Sequence, residues 1–121
     1  MPSILVVDDE HVIVDLLSMI FVEEGYRVVT AGNGKEGLER LTVDQPDVIL
    51  SDLMMPVLDG VALSHALQDH PAYRSIPLIF MSAAPLSLAA RACVYAAFVS
   101  KPFTLENLLA VVARVLTASS S

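Results

Sequence analysis

Residues 48–60 read Val-Ile-Leu-Ser-Asp-Leu-Met-Met-Pro-Val-Leu-Asp-Gly. The run Val48–Ser51 stops at the carboxylate of Asp52. An apolar run without polar alternation predicts a strand covered on both faces. Pro56 interrupts the segment beyond Asp52, and Asp59 stands where a helix would begin. That helix is predicted from about Asp59 to Gln68, ending before Pro71. A buried strand, a charged end and a helix form one unit of a parallel α/β sheet.

The same unit recurs on both sides. Strands are predicted at Ile4–Val7, Tyr26–Ala31, Leu78–Met81 and Ala97–Ser100. The first helix begins near His11 and ends at Gly25, with Val12, Leu16, Leu17, Ile20 and Phe21 expected on one face. Asn33, with Glu36 three residues on, opens a second helix in the manner of a capping box. Its Glu36 and Arg40, and its Lys35 and Glu39, are spaced for solvated pairs. Thr104 is placed to cap the fifth, which is expected to turn Leu105, Leu108, Leu109, Val112, Val115 and Leu116 to the core. The fourth segment, Pro85–Tyr95, has a single charge, Arg91, and reads as a short or irregular helix. Strand and helix alternating five times predict a parallel sheet with helices on both faces.

Composition agrees and excludes several classes. The 121 residues suit one domain, and 55% hydrophobic against 17% charged residues rule out a disordered tail. A domain over residues 1–118 is expected, with a polar end at 119–121. Cys93 is the one cysteine, so no intrachain disulfide forms. A formal charge of −7 with no basic stripe argues against direct nucleic-acid binding. The longest apolar stretch, Ala92–Val99, is too short to span a membrane, and the N-terminus lacks a signal-peptide pattern. A cytoplasmic location is expected. His11, His65 and His70 have no metal-ligand spacing and read as surface or capping residues, and Cys93 as apolar filler.

Four strands end in chemistry. Asp8-Asp9 follows the first, Asp52 the third, Ser82 the fourth and Lys101 the fifth. In open α/β sheets, sites form at the carboxyl ends of the strands. Clustered carboxylates require counter-charge. Lys101 supplies one, and a hard divalent cation such as Mg2+ suits the rest. A carboxylate beside it can attack phosphorus to give an acyl phosphate.

The set Asp8-Asp9, Asp52 through Gly60, Ser82-Ala83 and Lys101-Pro102-Phe103 resembles the receiver domain of two-component response regulators, over essentially the whole chain. The resemblance implies a flavodoxin-like, doubly wound sheet of strand order 2-1-3-4-5. It implies that Asp52 is the phosphoacceptor for a histidine kinase or phosphotransfer protein. It further implies that Asp8, Asp9, Asp52 and the backbone carbonyl of Met54 hold Mg2+, with Lys101 as the site cation. Ser82 and Phe98 fall at the switch positions of this phosphorelay family, and Phe98 has no hydroxyl, so its movement would be one of packing. The implied partners also include an attached output domain or a separate downstream protein.

Two departures from the family pattern bear on the output. Nineteen positions separate Ser82 from Lys101. Family members have about three more, close to one helical turn. Val94-Tyr95-Ala96-Ala97 replaces the usual Gly-Ala and acidic pair before Phe98. A receiver-like module that binds a partner without switching is therefore the alternative. An aspartate-dependent phosphatase is disfavoured, because Met54 stands where its general acid would be. The protein is thus read as a signalling domain and not an enzyme.

Overall fold

The computed structural model describes residues 2–119. Five strands and five helices alternate: β1 (Ser3–Val7), α1 (His11–Glu23), β2 (Arg27–Ala31), α2 (Gly34–Leu41), β3 (Val48–Asp52), α3 (Gly60–Asp69), β4 (Leu78–Ser82), α4 (Leu88–Arg91), β5 (Ala97–Ser100) and α5 (Leu105–Ser119). The strands form one parallel sheet in the order β2-β1-β3-β4-β5. This is the flavodoxin-like topology, as expected.

Every residue of β1, β3 and β4 is buried, which is why these strands read as unbroken apolar runs. The sheet separates two cores. Ile4, Val6, Val48, Leu50, Ile79 and Met81 face Leu17 and Phe21 of α1 and Leu108, Val112 and Val115 of α5. Leu5, Val7, Ile49, Leu78 and Phe80 face Leu41 of α2, Leu63 and Leu67 of α3, and Ala90 of α4. Each fully buried Leu, Ile or Phe contributes about 1.5–3 kcal/mol.

The helix boundaries follow local chemistry. Gly25 adopts φ +93 just beyond α1 and ends it, a conformation that a side chain would oppose. Asn33 accepts a hydrogen bond from the Glu36 N–H at 2.9 Å, Asp59 from the Ala62 N–H at 2.9 Å, and Thr104 from the Asn107 N–H at 3.1 Å. Glu36 pairs with Arg40 at 3.4 Å on the outer face of α2.

Two readings of helix faces are corrected. On α1, Val12 is 79% exposed and Leu16 is also exposed, whereas Val14 joins Leu17 and Phe21 inside. The helix is apolar on more than one side, so its pattern alone could not orient it. On α5, Leu105 is exposed and Val111 is buried. Leu105 sits in the first turn, outside the core that begins at Leu108. The helix also runs through Ser119, one residue into the expected polar end; Ser120 and Ser121 lie outside the described residues.

The fourth helix is as short as expected, with four residues. Buried Ser64 on α3 donates from its hydroxyl to the carbonyl of Val94 at 3.2 Å, tying the segment before β5 to α3. Cys93 is buried in the adjoining core, and its thiol donates to the Ala89 carbonyl at 3.3 Å. His65 lies beside it at 3.9 Å. His70 accepts from the Ala72 N–H at 3.1 Å, a local capping role.

Candidate functional site

Strand order determines where the site lies. The chain leaves β1 for β2 on one side, then crosses back to place β3 on the other. The crevice at this reversal lies between the carboxyl ends of β1 and β3. Asp8 emerges from β1 and Asp52 terminates β3. Val7 pairs with Ser51 and Asp52 with Met81, so register sets the height of both carboxylates. The Asp8 N–H donates to the Ala31 carbonyl at 3.1 Å, which fixes the backbone there.

Lys101 reaches into this crevice from the end of β5. Its N–H donates to the Ser82 carbonyl at 2.8 Å, and the Lys101–Pro102 peptide bond is cis. The ammonium Nζ lies 3.2 Å from Asp8 Oδ2, 3.5 Å from Asp52 Oδ2 and 3.7 Å from Glu10 Oε1. The Asp8 side chain has no exposed surface and that of Asp52 is one-tenth exposed. Asp8 Oδ1 also accepts from the Glu10 N–H at 3.0 Å, and Asp52 Oδ1 from the Leu53 N–H at 2.9 Å.

These surroundings move two protonation equilibria. Burial pushes the Asp52 carboxyl above its ordinary range; Lys101 opposes this, Asp8 adds to it, and the net direction is upward. Burial works against the Lys101 ammonium, but Asp52 and Asp8 outweigh it and hold Lys101 above the ordinary lysine range.

Asp8, Glu10 and Asp52 bring carboxylate oxygens within 4.8 Å of one another. One ammonium among three carboxylates leaves room for a hard divalent cation with oxygen ligands. Of the residues expected at the site, Asp8, Asp52 and Lys101 converge. Asp9 is exposed and lines an adjoining open depression of about 320 Å³ with Met54, Met55, Pro56 and Asp59. The Met54 side chain is exposed. Ser82 is buried at the end of β4, and its hydroxyl accepts from the Ala84 N–H at 3.1 Å. Phe98 is half-buried, paired in register with Phe80 and packed against the core on the α2–α4 face.

Glu10 does not stand out in the sequence. Its signal is present, as the third residue of an acidic run, but that run also suits an ordinary helix start. The loop from β3 to α3 carries Val57 at φ +70, a conformation that opposes a β-branched side chain.

Comparison with known proteins shows the family. The family model described as the response regulator receiver domain matches residues 4–113. The regulatory protein AtoC of Escherichia coli is 36% identical over 120 residues, covering 97% of this chain and 26% of AtoC. The probable transcriptional regulatory protein TcrX of Mycobacterium tuberculosis is 31% identical over 108 residues, covering 88% of this chain and 46% of TcrX. The chain thus spans less than half the length of these curated relatives. Among solved structures, the signal receiver domain of a histidine kinase from Syntrophus aciditrophicus superposes with a TM-score of 0.92 at 31% identity, covering 98% of this chain and 92% of the other. The chemotaxis protein CheY4 of Vibrio cholerae gives 0.89 at 30% identity, covering 95% of this chain and 98% of CheY4. Among the described residues no helix is long and apolar enough to cross a membrane. With its acidic crevice, its lysine and its strand order, the chain belongs to the response regulator receiver domain family.

Proposed function

We propose that this receiver domain accepts a phosphoryl group on Asp52 from a histidine kinase or phosphotransfer protein. The observation that carries the reading is the Lys101 ammonium 3.5 Å from Asp52 and 3.2 Å from Asp8 at the strand-order reversal. An Asp52 carboxylate oxygen attacks the donor phosphorus. The new O–P bond forms as the donor's own bond to phosphorus breaks, and the leaving group takes that electron pair. Lys101 pairs with the developing charge on the phosphoryl oxygens. Ser82, at the neighbouring strand end, turns its hydroxyl to the same oxygens, and half-buried Phe98 moves into the space released.

Asp8, Asp9 and Asp52, with the Met54 carbonyl, would hold Mg2+. When bound, the ion supplies positive charge that offsets the carboxylates and the transferred group. The chain's own contribution is the placement of acceptor, cation and hydroxyl on separate strand ends. Phosphoryl transfer here is a single event per signal and not a turnover reaction. The output passes through α4, β5 and α5 to an attached domain or a separate protein, in the cytoplasm where kinase and receiver meet.

A second reading is favoured by one observation. The fourth helix has only four residues, and Leu88 at its start and Val94 beyond its end are 83% and 61% exposed. On this reading the fold holds a partner at that surface without switching.

Intact mass after incubation with Mg2+ and acetyl phosphate tests the first reading, with Asp52→Asn alongside. The expected result is one added phosphoryl group in the wild type and none in the variant. No mass gain, together with unchanged spectra on adding beryllofluoride and Mg2+, would favour the non-switching module.

A further inference from the structure

Glu10 has no part in phosphoryl acceptance as proposed, yet its carboxylate lies in the crevice. It is the N-cap residue of α1, but its side chain makes no capping hydrogen bond. It is instead turned to Lys101, with Oε1 3.7 Å from Nζ. It shares the 4.8 Å cluster with Asp8 and Asp52. Its environment differs from theirs: the Glu10 side chain is 62% exposed, while those of Asp8 and Asp52 are nearly closed off. Two of the three carboxylates on Lys101 are therefore fixed in the wall, and the third stands at the opening.

An incoming phosphoryl group must reach Asp52 and engage Lys101. It carries negative charge, and Glu10 is the exposed one of the three carboxylates around Lys101. Because Glu10 is exposed, it can swing into water at little cost. It thereby frees Lys101, but only when something draws the ammonium away from it.

Resting on the phosphoacceptor reading, we infer that Glu10 is a specificity-determining residue that acts through Lys101. Its carboxylate is an anionic gate that disfavours small, free phosphoryl donors. A docked protein donor delivers its phosphoryl group at high effective concentration and overcomes the gate. A free dianion has only its bulk concentration. A unit charge about 5 Å away in a water-like medium alters the required donor concentration several-fold.

The test uses the full chain and Glu10→Gln, with acetyl phosphate titrated in the presence of Mg2+ and followed by intact mass. Glu10→Gln is expected to reach half-maximal rate at roughly three- to tenfold lower acetyl phosphate, with maximal rate within about twofold. The difference should collapse in about 0.5 M salt. An unchanged or higher half-maximal concentration overturns the gate and leaves Asp52 as acceptor. The titration is run at saturating Mg2+, because the same charge also attracts a divalent cation; Mg2+ affinity, measured separately, should fall by no more than about twentyfold, and a larger loss would make Glu10 a metal ligand and overturn the gate. Beryllofluoride with Mg2+ is the non-covalent check, expected to bind Glu10→Gln more tightly by the same factor. If neither protein takes up phosphoryl or beryllofluoride, both the gate and the acceptor reading fall.

Discussion

A β-carbon on Gly60 would stand 2.8 Å from the carbonyl oxygen of Asp52 and 2.9 Å from the Leu53 Cα. The first turn of α3 therefore rests directly on the end of β3. The Gly60 N–H donates to the Leu53 carbonyl at 2.9 Å, closing the loop between them.

Gly60→Ala must separate this contact, and backbone atoms have little freedom to yield. The variant should lose about 2 kcal/mol of stability and react more slowly with acetyl phosphate. Chemical denaturation and phosphorylation kinetics measure the two effects. A variant as stable as the wild type would show that α3 can shift without consequence.

Asp52→Asn should stabilise the metal-free protein at neutral pH. Burial first, and Asp8 after it, hold the Asp52 carboxyl above its ordinary range despite Lys101. Between the ordinary and the raised value, the folded state binds more protons than the unfolded one. Wild-type stability therefore falls as pH rises through that window. The variant lacks this loss, so its Tm advantage should be present at about pH 7 and vanish as the pH falls to the ordinary carboxylate range. Mg2+ should raise the wild-type Tm and have less effect on the variant. Melting curves across pH, with and without Mg2+, decide it.

Lys101→Met should act in the opposite sense. Asp8, with no exposed side-chain surface, would lose its ammonium partner. A loss of about 1–2 kcal/mol is expected in the metal-free protein near neutral pH. The Lys101 pKa is raised on folding, so its contribution is present below the ordinary lysine value and disappears as pH rises through the folded one. Wild type and variant should converge in strongly alkaline solution.

Val57 stands at φ +70 and is 75% exposed. Val57→Gly removes little packing and relieves the backbone. It should gain about 1 kcal/mol, read as a higher denaturation midpoint. Equal or lower stability would mean that the loop relaxes around valine.

Met54 and Ala84 stand two positions after Asp52 and Ser82, respectively. Neither side chain carries a group that can donate to, or strongly accept from, an attacking water. Phosphorylated protein should persist for minutes or longer, and Met54→Asn should shorten that time. Decay followed by intact mass would overturn this if the wild type lost its phosphoryl group in seconds.

Much of the fold and site is legible because strand ends carry their own punctuation. Val7 is followed by Asp8, Val48–Ser51 by Asp52, and Val99-Ser100 by Lys101, so apolar burial and polar chemistry are adjacent in the sequence. Even the shortened fourth helix can be read from the spacing of Ser82 and Lys101. The orientation of α1 cannot, because Val12, Leu16 and Val14 are equally apolar and the sheet alone selects among them. Glu10 is hidden for a related reason. Its role comes from Lys101, ninety-one positions away in sequence, and no local pattern encodes that meeting. The φ of Val57 runs against the residue's preference and is equally invisible.

The four residues of α4 carry a further consequence. A long helix responds to strain by tilting as a rod, because its many hydrogen bonds keep it whole. One turn has no such length, and helix formation this short is unfavourable on its own. A rearrangement at this surface would therefore take the form of melting or winding a turn, anchored at one end by the Ser64–Val94 hydrogen bond. Melting such a turn exchanges hydrogen-bond enthalpy for chain entropy, so a signal carried this way would depend on temperature more steeply than one carried by a rigid helix.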